Sequence, residues 1–76
     1  MANETTFRIT TYGFGELAQM YLPHIKSKSA SARLSAWIKY NLPLQEALTR
    51  AGYKKGMKVL TPIMVGEITN YFGIPN

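Results

Sequence analysis

Apolar residues in this chain first alternate and then recur at helical spacing. Phe7-Arg8-Ile9-Thr10-Thr11-Tyr12 is β-branched and aromatic, with Phe7, Ile9 and Thr11 on one side of a period of two, which predicts a short strand. From Gly13 the period changes. At about 100° per residue, Phe14, Leu17, Ala18 and Tyr21 share one face while Gly15, Glu16 and Gln19 point away, so a helix follows and Pro23 stops it. Gly13 stands at its N-cap, and Glu16 at N3 lies near the positive end of the helix dipole.

After a loop from Pro23 to Lys28, Ser29 is a suitable N-cap for a second helix running to about Tyr40. Its predicted buried stripe is Ala30, Leu34, Trp37 and Ile38, and its opposite face is Ala32, Ser35, Ala36 and Lys39. Asn41 and Pro43 end it, and Pro43 suits the first position of a third helix that turns Leu44, Ala47, Leu48 and Ala51 to the core. Gly52 falls where a left-handed C′ residue is wanted. Lys54-Lys55-Gly56, then Met57-Lys58-Val59-Leu60, reads as a tight basic turn running into a second short strand. Thr61-Pro62 is an N-cap followed by N1 of a fourth helix, predicted to bury Met64, Val65, Ile68, Tyr71 and Phe72. Gly73 ends it, with Ile74 placed for the hydrophobic contact that accompanies such a cap. The expected fold is mainly α with a small two-stranded β element, in the order β-α-α-α-β-α.

The 76 residues make one expected domain, 1–76, with a thin core, since a chain this short buries only about 60% of its unfolded surface. That leaves room for a homodimer. There is no cysteine for a disulfide or thiolate metal site, yet 46% of residues are apolar, a globular rather than a disordered composition. No apolar run approaches the roughly 20 residues of a membrane span, so no membrane partner is expected. Met1 to Thr6 lacks the basic and apolar regions of a secretory signal, and a cytoplasmic location is the expectation.

Charge changes the picture most. Residues 26–58 hold eight of the nine Lys and Arg and one carboxylate, Glu46, whereas Arg8 stands outside with Glu4, Glu16 and Glu67. A segment of net +7 within a chain of net +5 sets up a directional field, and such a field suits a polyanionic partner.

Catalysis by nucleophile or acid–base pair needs titratable groups that meet. One His, no Cys, no Asp and four Glu on separate elements give no such pair, and His24 reads as a loop residue. No set of metal ligands is present, and Gly13-Phe14-Gly15 lacks the third glycine of a phosphate-cradling fingerprint. An enzyme, a cofactor or a small-molecule substrate is therefore not expected.

Two features are candidates for binding. The small outer face of the second helix, Ala32, Ser35 and Ala36 between Arg33 and Lys39, lets another surface come close. In a major groove it would bring Arg33 and Lys39 to bases or phosphates, with Ser31 and Ser35 as donors to phosphate oxygens. The same face also fits a plain solvated helix or helix–helix packing in a homodimer. The turn Tyr53 to Lys58 puts Lys54, Lys55 and Lys58 around Gly56, as a phosphate-tracking tip or as a solvated loop. Trp37 shares a face with Leu34 and Ile38 and is expected in the core. Tyr40 at the edge of that stripe remains open as a stacking residue, and Ile63 points off the fourth helix's stripe.

Gly15-Glu16-Leu17-Ala18-Gln19-Met20-Tyr21-Leu22-Pro23, Leu34-Ser35-Ala36-Trp37-Ile38, Ala51-Gly52-Tyr53-Lys54-Lys55, Leu60-Thr61-Pro62 and Phe72-Gly73-Ile74-Pro75 resemble, in that order, a family of short uncharacterised proteins found mainly in Bacteroidetes and their mobile elements. The resemblance spans nearly the whole chain and implies a small helical domain, with no activity or site to transfer. More loosely, Glu16-Leu17-Ala18 opening a helix, a Trp-containing helix, and a basic turn before Leu60-Thr61-Pro62 are similar to the winged-helix domains of MerR-type regulators and phage excisionases. That similarity implies a winged-helix or helix-turn-helix-like fold, with the second helix in the major groove and the turn as wing. The loop Pro23 to Lys28 is longer than the usual turn of such motifs, and a third helix precedes the wing.

The expected function is a small DNA-binding accessory or regulatory protein, with duplex DNA as the favoured nucleic acid. Arg33, Lys39, Lys54, Lys55, Lys58 and Ser35 would make contacts, and Lys26, Lys28 and Arg50 would supply longer-range attraction. Base readout would rest mainly on Arg33. The alternative is a protein–protein adaptor or phage-type structural subunit that binds no nucleic acid.

Overall fold

The structure is a computed structural model that describes residues 7–75; the Met1 to Thr6 start, and with it Glu4, lies outside them. The elements are β1 (Tyr12–Gly13), α1 (Phe14–Tyr21), α2 (Ser27–Lys39), α3 (Leu42–Arg50), β2 (Val59–Leu60) and α4 (Pro62–Phe72). This is the expected β-α-α-α-β-α order. Among the described residues no helix is long and apolar enough to cross a membrane.

The strand expected over residues 7–12 is reduced to Tyr12–Gly13. Its partner β2 is equally short, and among the described residues only Tyr12↔Leu60 and Gly13↔Val59 pair, antiparallel. Without a partner, residues 7–11 curl back. The Phe7 and Tyr12 rings stack at 5.3 Å, where an extended strand would separate the two residues by roughly 17 Å. The Tyr12 hydroxyl closes the curl by donating to the Arg8 carbonyl at 2.9 Å.

Gly13 does begin α1, and its N–H donates to Glu16 Oε1 at 3.1 Å. Gly15, expected to face away, instead packs against α2. A Cβ there would sit 2.9 Å from Ser27 Oγ and 3.1 Å from Ser31 Oγ. This close approach also moves the start of α2. Lys26, not Ser29, is the N-cap, and the Ala30 N–H donates to the Lys26 carbonyl at 2.8 Å. Ser27 must already be helical to lie one turn before Ser31 on the face that meets Gly15. Gln19, also expected outside, donates from Nε2 to the Ile25 carbonyl and so holds the α1–α2 connection.

Asn41 both ends α2 and caps α3, accepting the Leu44 N–H at 3.1 Å, which leaves Pro43 at the second helical position rather than the first. Gly52 has φ 96°, and the Tyr53 and Gly52 N–H groups donate to the Leu48 and Thr49 carbonyls at 2.8 and 3.0 Å. That is the Schellman closure its position predicted. Thr61 caps α4 through Oγ1, with Pro62 in the first turn.

The core draws Leu17 and Ala18 from α1, Ala30, Leu34 and Ile38 from α2, Leu44 and Leu48 from α3, Leu60 from β2, and Met64, Val65 and Ile68 from α4. Three expectations fail at its rim. Trp37 keeps 37% of its surface exposed, covered edge-on by Tyr21 at 6.2 Å and Phe72 at 5.6 Å. It lies about 60° from the centre of the buried stripe of α2, where only these two rings reach it. Tyr71 is 43% exposed because α4 is rotated to bury Thr69, whose hydroxyl is satisfied by the Gly66 carbonyl at 3.1 Å. Ile74 is 58% exposed. Gly73 leaves the helix with φ 85° and ψ 172°, an extended exit that points Ile74 outward and buries Pro75 instead.

The same exit is anchored by Tyr21, whose hydroxyl donates to the Gly73 carbonyl at 2.6 Å. Burial pushes the Tyr21 phenol up to about 12 from its ordinary 10.0. The folded state thus favours the neutral phenol, so its contribution is complete below pH ~10 and is lost as pH rises from about 10 to 12. Denaturant melts of wild type and Tyr21→Phe across that window test this. The wild type should lose stability more steeply than the variant, and parallel pH curves would remove the assignment.

Candidate nucleic-acid interface

Because α2 buries Ala30, Leu34 and Ile38, helical spacing turns Lys28, Ala32, Ser35, Ala36 and Lys39 outward along one face. The turn after α3 is folded against that face. The Schellman closure at Gly52 reverses the chain. Gly56 at φ 89° tightens it, the Met57 N–H donates to the Lys54 carbonyl at 3.1 Å, and the Lys54 N–H donates to Met57 Sδ at 3.1 Å. The Lys58 carbonyl then accepts the Phe14 N–H at 2.8 Å, which ties the turn to the first residue of α1.

Between these elements lie two adjoining hollows. One, of about 460 Å³, is lined by Phe14 and Gly15 of α1, Ser31, Ala32 and Ser35 of α2, and Tyr53, Gly56, Met57 and Lys58 of the turn. The other, of about 650 Å³, is lined by Ala32, Ser35, Ala36, Ile38 and Lys39 of α2, Gln45 and Thr49 of α3, and Tyr53 and Lys55. Ala32, Ser35 and Tyr53 belong to both, so the hollows form one trough along α2.

Three lysines, Lys39, Lys55 and Lys58, contribute to the lining of this trough, and no carboxylate residue does. Concave apolar walls carrying one sign of charge concentrate counter-ions. Ser31, Ser35, Gln45 and Thr49 add neutral hydrogen-bonding groups. Burial raises the Tyr53 phenol above its ordinary value, so at neutral pH it remains an O–H donor. Glu46 lines a shallow hollow with Arg50 that adjoins the trough at Gln45 and Thr49, so this carboxylate stands at the trough's edge beside an arginine.

The candidate residues therefore divide. Lys39, Lys55, Lys58 and Ser35 meet in the trough. Lys28 shares the helix face but lines neither hollow, and Lys54 is exposed on the turn. Arg33 lies about 110° round the axis of α2 from the trough, on the flank of Trp37 and Tyr40. Lys26 precedes the helix and contributes its carbonyl to the first turn. Tyr40 is 81% exposed, with Lys39 Nζ 5.8 Å from its ring centroid.

The basic turn is not the tip of a hairpin. Residues 53–58 form no strand, and β2 pairs with β1 rather than with the chain just before it. Gly15, Gln45 and Thr49 line the trough although no motif in the sequence singles them out, and Tyr53 joins it as the first residue of the candidate turn. Gln45 and Thr49 were legible as the outward face of the third helix, but nothing local says that this face meets the second helix across a trough. Among the described residues no group of three or more His, Cys, Asp or Glu is placed to hold a metal ion.

Comparison with curated proteins and with solved structures finds no match for the chain. The profile of a domain of unknown function, DUF4248, matches residues 8–75, nearly the whole chain, and the protein belongs to that family.

Proposed function

We propose that this is a small nucleic-acid-binding accessory or regulatory protein that lays its trough along a phosphate backbone. Lys39, Lys55 and Lys58 pair with successive phosphates, and Ser31 and Ser35 donate to phosphate oxygens between them. Lys28 and Lys54 extend the cationic track beyond the two hollows. Arg33, Lys26 and Arg50 add to the attraction at a distance without sharing the contact. The observation that carries this reading is that Lys39 of α2 and Lys55 of the turn line one hollow without a carboxylate.

The test is an electrophoretic shift with random-sequence DNA, single and double stranded, between 50 and 200 mM salt. Three phosphate contacts predict a loss of affinity of about 20- to 40-fold over that range, from slopes of roughly −0.7 to −0.9 per contact. No shift even in dilute buffer would sink the reading. It would leave the second one, a protein–protein adaptor or phage-type structural subunit. That alternative is favoured by the exposed Trp37, Tyr40, Leu42, Tyr71 and Ile74, side chains of the kind that anchor protein interfaces.

A further inference from the structure

Resting on that reading, we infer that the strand held in the trough is unpaired: the site takes single-stranded rather than duplex nucleic acid. The first ground is the shape around α2. A helix that reads a major groove must stand clear of its neighbours and present long donors to base edges. Here Ala32 and Ser35 line both hollows together with Tyr53 of the turn, and Lys55 lines one of them, so the turn packs beside this face of α2. The only arginine of α2, Arg33, points about 110° away.

The second ground is the lining. Lysines share the lining with partly buried apolar and aromatic residues: Tyr53 lines both hollows, and Phe14 and Met57 line the smaller one. Single strands are bound by this combination, with phosphates on the cations and unstacked bases against aromatic faces. A duplex keeps its base faces stacked, so it would meet the lysines and leave those apolar and aromatic residues unused. Hollows of about 460 and 650 Å³ are of the size that takes a small ligand such as a single unpaired nucleotide.

Fluorescence anisotropy with one labelled mixed-sequence 12-mer, offered alone and annealed to its complement in 100 mM salt, tests the inference. The single strand is expected to bind at least tenfold more tightly. Tyr53→Leu keeps an apolar side chain behind Gly52 and should lower single-strand affinity fivefold or more, with little change for the duplex. Stacking worth roughly 1–3 kcal/mol per base corresponds to a loss of that size or larger. A duplex bound as tightly as the single strand overturns the inference and leaves the phosphate-binding reading intact. So does a folded Tyr53→Leu protein with undiminished single-strand affinity. If Tyr53→Leu does not fold, the wild-type ratio of the two affinities decides alone. Binding to neither form, with retention on polyglutamate, overturns the inference and the reading together.

Discussion

Leu34→Ala is expected to destabilise the fold by about 2–5 kcal/mol, a fall in Tm on the order of 20 °C for a domain of this size. Leu34 is fully buried at the centre of the α2 stripe, between Ala30 and Ile38. The core it belongs to draws on all four helices and β2, and α2 packs against both α1 and α3, so no single element can shift to fill the space. A domain of this length has on the order of 4–11 kcal/mol in total, which makes the loss a large fraction of it. Thermal melts by circular dichroism give the value. A shift of only a few degrees would mean that α2 is not held as described, and the wall of the trough would be lost with it.

The charge reversal Lys39→Glu/Lys55→Glu is expected to weaken nucleic-acid binding about 100-fold in 100 mM salt while leaving the melt unchanged. Each phosphate contact removed costs roughly 0.7–0.9 log units at that salt, because fewer counterions are released. Two contacts therefore account for a factor of about 25–60, and the added carboxylates repel the backbone beyond that. Both side chains are exposed on the surface, where such substitutions change stability by only about 0.5 kcal/mol. Affinity from anisotropy and stability from the melt separate a binding defect from a folding defect.

Much of this architecture can be read from local chemistry. Asn41, Gly52 and Thr61-Pro62 punctuate the helices because each satisfies backbone groups within a few residues of itself, so no distant partner is needed. The misplaced boundaries depend on distant partners. Residues 7–11 have strand-forming side chains but, among the described residues, no strand to pair with, and α2 starts at Ser27 because Gly15, on another helix, admits it. Spacing places Trp37 and Tyr71 inward and the cap rule places Ile74 against its helix, but which edge of a stripe is covered depends on where the neighbouring helix ends.

The candidate site divides in the same way. The small outer face of α2 and the cations of the turn were both visible as patterns. Their meeting depends on the Phe14 N–H bond to the Lys58 carbonyl, a contact between residues far apart in the chain. The place of Arg33 was available from helical phase, since it stands a third of a turn from Ala32 and nearly opposite Ser35.

The most direct measurement compares two double variants of equal net charge, Lys39→Glu/Lys55→Glu in the trough and Lys26→Glu/Arg33→Glu outside it, for affinity to the same oligonucleotide. If phosphates lie in the trough, the first pair abolishes most binding and the second stays within about threefold of wild type. Equal losses from both pairs would mean that overall charge, not this groove, attracts the polyanion, and the assignment would be wrong.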